Sequence, residues 1–586
     1  MRYLALACDY DGTLALRGKV DEPTLAALKR LLATGRQLIL VSGRELEDLQ
    51  STFEHLELFD MAVLENGALL YKPGTREEKR LAEPPPERFV EAVRRRGVER
   101  ISAGRAIVAT WRPHEKEVLE AIQECGLELQ IIFNKDAVMV LPAGVNKATG
   151  LAAALKALGL SPHNVVGIGD AENDHAFLTL CECGVAVDNA LPAVKETADF
   201  TTRGDHGQGV IELIDELVES DLGGRERRLV RHHLLFGHRS DDERNVRLRP
   251  HGTSVLIAGP SGSGKSTTAT SILERLVDNR YQFCLIDPEG DYSSFEGATT
   301  VGGPAHAPTV EEVLERLKAP RENVVVTLVG MSVTERPGFF LSLLPRLLEL
   351  RAKVGRPHWL VLDEAHHLLP ASWERAEPAM PSGLDNLMLI TVHPGQVHPA
   401  ALRSVNVVVA VGQGPGKTVK EFCEAIGVRP PPVRRAEPGA GEVLFWDRTL
   451  KEGPFTVRVV PCRSERHRHV RKYAEGALPP ERNFYFRGPE GKLNLRAHNL
   501  ILFLQMAEGV DEETWAYHLR EGDYSRWFRD AIKDPELAAE AERVERLGAS
   551  PKEGRELIRQ AVEKRYTMPA APTLPMPGTD AEEGKA

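Results

Sequence analysis

Two carboxylates at the end of an apolar run could do chemistry early in the chain. Asp9 and Asp11 stand in Cys8-Asp9-Tyr10-Asp11-Gly12-Thr13-Leu14, after Tyr3-Leu4-Ala5-Leu6-Ala7. The run reads as a buried parallel strand, and residues two apart on a continuing strand share one face. Open α/β sheets build their sites at the carboxyl ends of strands, where these aspartates fall. Such a pair can hold a cation, attack an electrophile or move a proton, although acidic residues after a strand also serve as plain turn residues.

Three later segments repeat the arrangement. The apolar run 37–41 leads to Ser42-Gly43-Arg44. A hydroxyl there can reach a phosphate beside a helix start, or simply cap that helix. Gly144-Val145-Asn146-Lys147 begins a helix and puts a lysine in its first turn. Cations are disfavoured there by the helix dipole, so a lysine facing an anion fits better than a solvated one. A further strand, 165–168, runs into Gly169-Asp170-Ala171-Glu172-Asn173-Asp174. Clustered oxygen donors of this kind suit Mg²⁺.

A second phosphate motif follows. Val255-Leu256-Ile257-Ala258 precedes Gly259-Pro260-Ser261-Gly262-Ser263-Gly264-Lys265-Ser266-Thr267, a Walker A P-loop in its strand-loop-helix setting. Its backbone N–H groups cradle phosphates, Lys265 reaches the β and γ oxygens, and Ser266 ligates Mg²⁺. The strand 359–362 ends in Asp363-Glu364-Ala365-His366, a Walker B pattern. Asp363 then holds Mg²⁺ through water and Glu364 polarises the attacking water, which favours ATP hydrolysis over kinase chemistry.

Taken in order, D-x-D-G-T, S-G-R, the helix-start lysine and G-D-x-x-N-D resemble the motif set of the haloacid dehalogenase (HAD) superfamily of phosphatases. The resemblance is to its Cof-type or sucrose-phosphatase-like branch, with an α/β cap between the second and third motifs. It implies a Rossmann-like HAD domain over residues 1–220 with a cap at about 84–142. It further implies Asp9 as a nucleophile forming an aspartyl-phosphate, and Asp11 as the acid, then the base. Ser42 and Lys147 would hold the phosphoryl group. Asp9, the Asp11 carbonyl and Asp170 would bind Mg²⁺, with Asn173 and Asp174 assisting. The cap carries no cluster that translates into a ligand; Trp111, Arg112 and His114 are its candidates, with core or surface packing the better account of them.

Asp287-Pro288-Glu289-Gly290-Asp291-Tyr292, with Walker A and D-E-A-H, resembles the HerA/FtsK group of ATPases over about 228–460. Members are usually ring-forming motors on DNA or protein. Thr391-Val392-His393-Pro394-Gly395 stands where that group carries a polar sensor and an arginine-containing stretch. Arg403 is either a trans-acting finger or a surface residue.

The bulk numbers frame these motifs. With 586 residues, three or more domains are expected. The net charge of -11 argues against nonspecific nucleic-acid binding by the whole chain. Seven scattered cysteines read as reduced thiols, and neither a leader nor an apolar run of about 18 residues is visible, so the expected location is cytoplasmic. A basic connector is expected at 221–250, the P-loop domain at 251–460, a linker and helical region at 461–565, and a disordered tail at 566–586. In the helical region the aromatics, His498 and His518 read as packing residues. The expected class is α/β throughout, closed by helices. The expected function is a Mg²⁺-dependent phosphomonoester hydrolase on a small metabolite, such as a sugar phosphate or a phosphoglycolate-like ester, coupled to an ATP-binding, hydrolysing domain. A nucleic-acid end-processing machine and a nucleotide-sensing module stand as alternatives. No membrane partner is expected, and a homo-oligomer stays open.

Overall fold

The computed structural model describes residues 1–566 except 135, 227, 333, 373–383, 434–437, 464–477, 479–481 and 533. Most of the expected tail, and the basic run beyond Arg463, lie outside the described residues. The chain forms two compact units. The first holds Met1–His233 with the segments Lys318–Arg321 and Leu348–His358; the second holds Leu234–Leu317, Glu322–Leu347 and the described residues from Trp359 onward.

The first unit opens with β1 (Ala5–Asp9), β2 (Gln37–Val41), β3 (Met61–Leu64), β4 (Leu69–Lys72) and β5 (Glu77–Arg80). Its cap holds β6 (Ser102–Ala103), β7 (Val108–Trp111), β8 (Leu129–Asn134) and β9 (Ala137–Pro142). The chain then returns through β10 (Val165–Gly169), β11 (Cys183–Ala186) and β12 (Phe200–Thr201). The main sheet runs β12-β11-β10-β1-β2-β3-β4-β5. Every residue of β1, β3 and β10 is buried, as strands covered on both faces require. From β1 the chain steps outward through β2 and β3, whereas β10 to β12 extend the other way. The switch point therefore falls between β1 and β10, where such sheets bind ligands.

Local signals fix the helix that carries Lys147. The Asn146 side chain accepts the Thr149 N–H, and the Thr149 hydroxyl accepts the Asn146 N–H, each at 3.0 Å. This reciprocal cap starts the helix Lys147–Leu158 at the lysine itself. The cap sheet runs β6-β7-β9-β8. Two helices, Glu87–Arg95 and Glu115–Cys125, pack on it through Phe89, Val93, Val118 and Ile122.

The second unit contains β13 (Leu234–Arg239), β14 (Asn245–Leu248), β15 (Val255–Ala258), β16 (Phe283–Asp287), β17 (Ala298–Val301) and β18 (Asn323–Thr327). It continues with β19 (Trp359–Leu362), β20 (Leu387–Thr391), β21 (Val407–Val411), β22 (Glu442–Asp447) and β23 (Phe455–Val459). Their order is β14-β13-β23-β22-β21-β15-β20-β19-β16-β18-β17. Strand β20 lies between the P-loop strand β15 and the Walker B strand β19. The charge-rich stretch read as a connector contains β13 and β14: Leu234, Phe236, Val246 and Leu248 are buried between its arginines. Strand β22 pairs with both β21 and β23, so 442–446 is interior to the sheet.

The hairpin β24 (Phe484–Phe486) and β25 (Leu495–Ala497) precedes five helices between Leu500 and Tyr566. Their core is aromatic. Trp515 stacks on Tyr524 at 4.4 Å, and Phe503 touches Phe484, Phe486, Trp527 and Phe528. His518 gives its Nδ1 to Asp523 at 2.7 Å, and its Nε2 receives the Arg487 N–H at 3.0 Å. It packs and braces, as its sequence setting suggests. Phe503→Ala is expected to destabilise this helical region by about 3–5 kcal/mol, read as an earlier transition in chemical denaturation. Among the described residues no helix is long and apolar enough to cross a membrane.

Candidate functional site

The first site gathers at the carboxyl ends of β1, β2 and β10. Lys147 Nζ lies 2.6 Å from Asp9 Oδ1 and 2.5 Å from Asp174 Oδ1, with all three side chains buried. Asp9, Asp170 and Asp174 each bring an oxygen within 4.8 Å of the others. Thr13 donates to Asp170 Oδ1 at 3.1 Å. Asp174 Oδ2 accepts the Asp170 and Ala171 N–H groups, both at 2.9 Å, so Asp174 braces the loop as well as facing the lysine. Gly12 has φ 95°, and a Cβ there would stand 2.2 Å from Asp170 Oδ2. Only glycine lets these two loops close on each other.

Ser42 is buried at the end of β2, and its Oγ accepts the Arg44 N–H at 3.1 Å. Asp11 is held by Arg44 in a two-pronged pair, Nε to Oδ2 at 2.6 Å and Nη2 to Oδ1 at 2.8 Å. Asn173 donates to Asn66 Oδ1 at 2.9 Å, while its own Oδ1 is buried without a hydrogen-bond partner. Two contributors escaped the sequence reading. One is Arg44, whose only signal was its place after Ser42-Gly43. The other is Glu65, which accepts N–H groups from Arg105, Ala106 and Ile107 at 2.8, 2.7 and 3.1 Å and so ties that cap loop to the end of β3.

The electrostatics call for a cation. Burial pushes the Asp9 carboxyl well above its usual range, and the charge of Asp174 adds to this, while Lys147 works against both. Burial also acts to lower Lys147, yet Asp174 and Asp9 outweigh it and hold the ammonium above its usual range. Three buried carboxylates thus cluster around one ammonium, which contacts two of them, Asp9 and Asp174. An all-oxygen donor set with excess negative charge, together with the orphaned Asn173 Oδ1, fits Mg²⁺.

The second site lies at the carboxyl ends of β15, β19 and β20. Gly259, Gly262 and Gly264 take φ of 157°, 74° and 103°, which shape the loop. Lys265 is buried, with Nζ 2.9 Å from the Pro260 carbonyl. Ser266 follows in the first turn of the helix Lys265–Asp278, and Thr267 is exposed. A cavity of about 430 Å³ adjoins this turn, lined by Ser263, Gly264, Thr267, Thr268, Gly412 and Gly441.

Asp363 is buried at the end of β19, and Asp287 at the end of the neighbouring β16. Burial raises the Asp287 carboxyl, and the charge of Asp363 raises it further. Both Asp287 oxygens accept N–H groups of the turn that follows, Gly290 at 2.8 Å and Tyr292 at 2.7 Å, so Asp287 shapes that loop beside Asp363. Glu364 sits at φ 42°, a left-handed conformation that a glutamate adopts only when its surroundings impose it. His366 Nδ1 lies 3.1 Å from Thr391 Oγ1 and 3.6 Å from Glu364 Oε2. Burial, then His367, His393 and Lys265, push His366 down to about 3, so it stays neutral. Thr391 therefore supplies a polar group at the end of β20, in the run where the sequence showed a departure. Arg403 is exposed at the end of the helix Pro399–Arg403.

An α/β phosphohydrolase site and a P-loop site are the two classes this geometry defines. A family model of haloacid dehalogenase-like hydrolases matches residues 6–102 and 111–214, and one of the AAA ATPase domain matches 244–390. Phosphoglycolate phosphatase 2 of Saccharolobus solfataricus is 30% identical over 227 residues, which cover 38% of this chain and 94% of that protein. The phosphoglycolate phosphatase of Methanothermobacter thermautotrophicus is 26% identical, covering 36% and 96%. That of Halorubrum lacusprofundi is 29% identical, covering 36% and 96%. The chain belongs to the haloacid dehalogenase-like hydrolases. It is a HAD-type phosphatase that carries a second, AAA ATPase domain.

Proposed function

We propose that the chain hydrolyses a small phosphomonoester, phosphoglycolate or a sugar phosphate, through an aspartyl-phosphate on Asp9. The carrying observation is the buried group Asp9, Lys147, Asp170 and Asp174 at the switch point. Asp9 Oδ attacks phosphorus, and the ester oxygen leaves with a proton from Asp11. Asp11, held by Arg44, then takes a proton from the water that cleaves the acyl phosphate. Ser42 and Lys147 compensate the equatorial charge of the transferring group. Asp9, Asp170, Asp174, the Asp11 carbonyl and Asn173 would hold Mg²⁺, which supplies charge neutralisation.

In the second unit Lys265 and the P-loop amides would bind ATP phosphates, and Ser266 and Asp363 would hold Mg²⁺. Glu364 would orient the water, and the 430 Å³ cavity beside Thr267 offers room for a nucleoside. The Asp287–Tyr292 run supports a finer placement near the HerA/FtsK group. We place the phosphatase module at 1–220, its cap at about 84–142, the ATPase from β13 to about 460, and helices beyond.

The reading is tested by phosphate release from phosphoglycolate, sugar phosphates and nucleotides, with Mg²⁺ or a chelator, and with or without ATP. Release from one of the small esters, lost in chelator, is expected; release from none overturns it. Arg44→Ala is expected to lower kcat by roughly 10-fold or more with little change in KM, because Arg44 orients the proton carrier rather than the ester. ATPase activity is expected to be flat on adding DNA or RNA; stimulation would favour a nucleic-acid machine.

A further inference from the structure

A second group of ligand atoms lies at the opposite edge of the phosphatase sheet. His163 sits in the turn Pro162–Asn164 that leads into β10, Glu182 directly precedes β11, and His232 lies near the end of the first unit's main segment. Each brings one donor atom within 4.8 Å of the other two. His163 and Glu182 are buried and His232 is half-buried. His163 Nδ1 stands 2.6 Å from Glu182 Oε2, and the rings of His163 and His232 meet edge to face at 5.3 Å.

Outer contacts orient two of the three donors. His232 Nε2 lies 3.3 Å from the Cys181 carbonyl. A carbonyl only accepts, so Nε2 carries the proton and the lone pair of the neutral ring is on Nδ1. Arg2 Nη2 holds Glu182 Oε1 at 2.6 Å, and Oε2 is the oxygen turned to His163. A ring N–H on a carbonyl and a second carboxylate oxygen on a donor are the outer contacts that orient metal ligands. His358, in a segment of the same unit, packs edge to face on His163 at 5.6 Å and closes that side.

We propose that His163, Glu182 and His232 bind a Zn²⁺-type transition-metal ion, separate from the Asp9 site, which fastens residues 221–233 to the amino-terminal edge of the phosphatase sheet. Two imidazoles and a carboxylate form a Zn²⁺ donor set, whereas Mg²⁺ prefers oxygen alone. Donors on a tetrahedral Zn²⁺ stand about 3.3 Å apart, so His163 and Glu182 must open by roughly 0.7 Å, a side-chain adjustment.

The test uses the full chain, stripped with chelator, reloaded with Zn²⁺ and passed through gel filtration. One tightly held Zn²⁺ per chain is expected, and Co²⁺ in its place should give the visible bands of a tetrahedral nitrogen-ligated ion. His232→Asn and Glu182→Gln are each expected to weaken Zn²⁺ binding by about 100-fold or more, while Asp9→Asn leaves it unchanged. Circular dichroism confirms that the variants are folded, and half-buried His232 is the safer of the two to replace. No retained Zn²⁺ in the wild type, retention in both variants, or equal loss in Asp9→Asn would each overturn the proposal.

Discussion

Asp9→Asn is expected to lower phosphate release by about 10,000-fold or more while leaving ATP binding intact. The amide keeps the shape of the carboxylate and cannot form the acyl phosphate. The same substitution should not weaken the fold. The Asp9 carboxyl is pushed up by burial and by Asp174. Its folded state therefore favours the protonated form, and the stability this carries is present below about pH 4 and lost as pH rises. In chelator, the variant's Tm is thus expected to match the wild type near pH 4 and to exceed it increasingly toward neutral pH. A melting series on both proteins checks this; a variant that melts lower at pH 7 would show that Asp9 is there for structure. Lys147 also contacts Asp174, a partner the substitution does not remove.

Lys265→Ala is expected to weaken ATP binding by roughly 100-fold and to abolish its hydrolysis. Lys265 Nζ rests on the Pro260 carbonyl of its own loop, so the lysine braces the loop from within as well as standing ready for phosphate. Glu364→Gln separates binding from turnover: ATP should bind as before, with hydrolysis down by about 100-fold. Equilibrium binding of a fluorescent ATP analogue and phosphate release read the two effects. Unchanged binding in Lys265→Ala would remove the P-loop from the account.

The residues at strand ends were legible because uninterrupted apolar runs announce parallel strands, and Asp9, Ser42, Asp170 and Asp363 each follow one. The opposite case is instructive. Strand β5, Glu77–Arg80, is exposed at every position and carries no apolar signal. Strands β13 and β14 bury Leu234, Phe236, Val246 and Leu248 among arginines, and charge masked the alternation. Arg44 and Glu65 act through partners more than 30 residues away in sequence, so spacing could not reveal them. Asn173 was expected to assist at the metal site through the resemblance alone; its amide N–H₂ donates to Asn66, a partner more than 100 residues away that no spacing could reveal. The run from Thr391 read as a departure from the HerA/FtsK pattern, and only β20, between the P-loop and Walker B strands, gave its hydroxyl a place. The His163–Glu182–His232 group was invisible for the same reason: its members are joined by the sheet's edge, not by a motif.

Chemical trapping reaches the central claim most directly. The full chain is mixed with phosphoglycolate and Mg²⁺, quenched during turnover and reduced with borohydride, which converts an aspartyl-phosphate to homoserine. Peptide mass spectrometry is predicted to find homoserine at position 9. Homoserine at position 11 instead, or an unmodified Asp9 while phosphate is being released, would contradict the account.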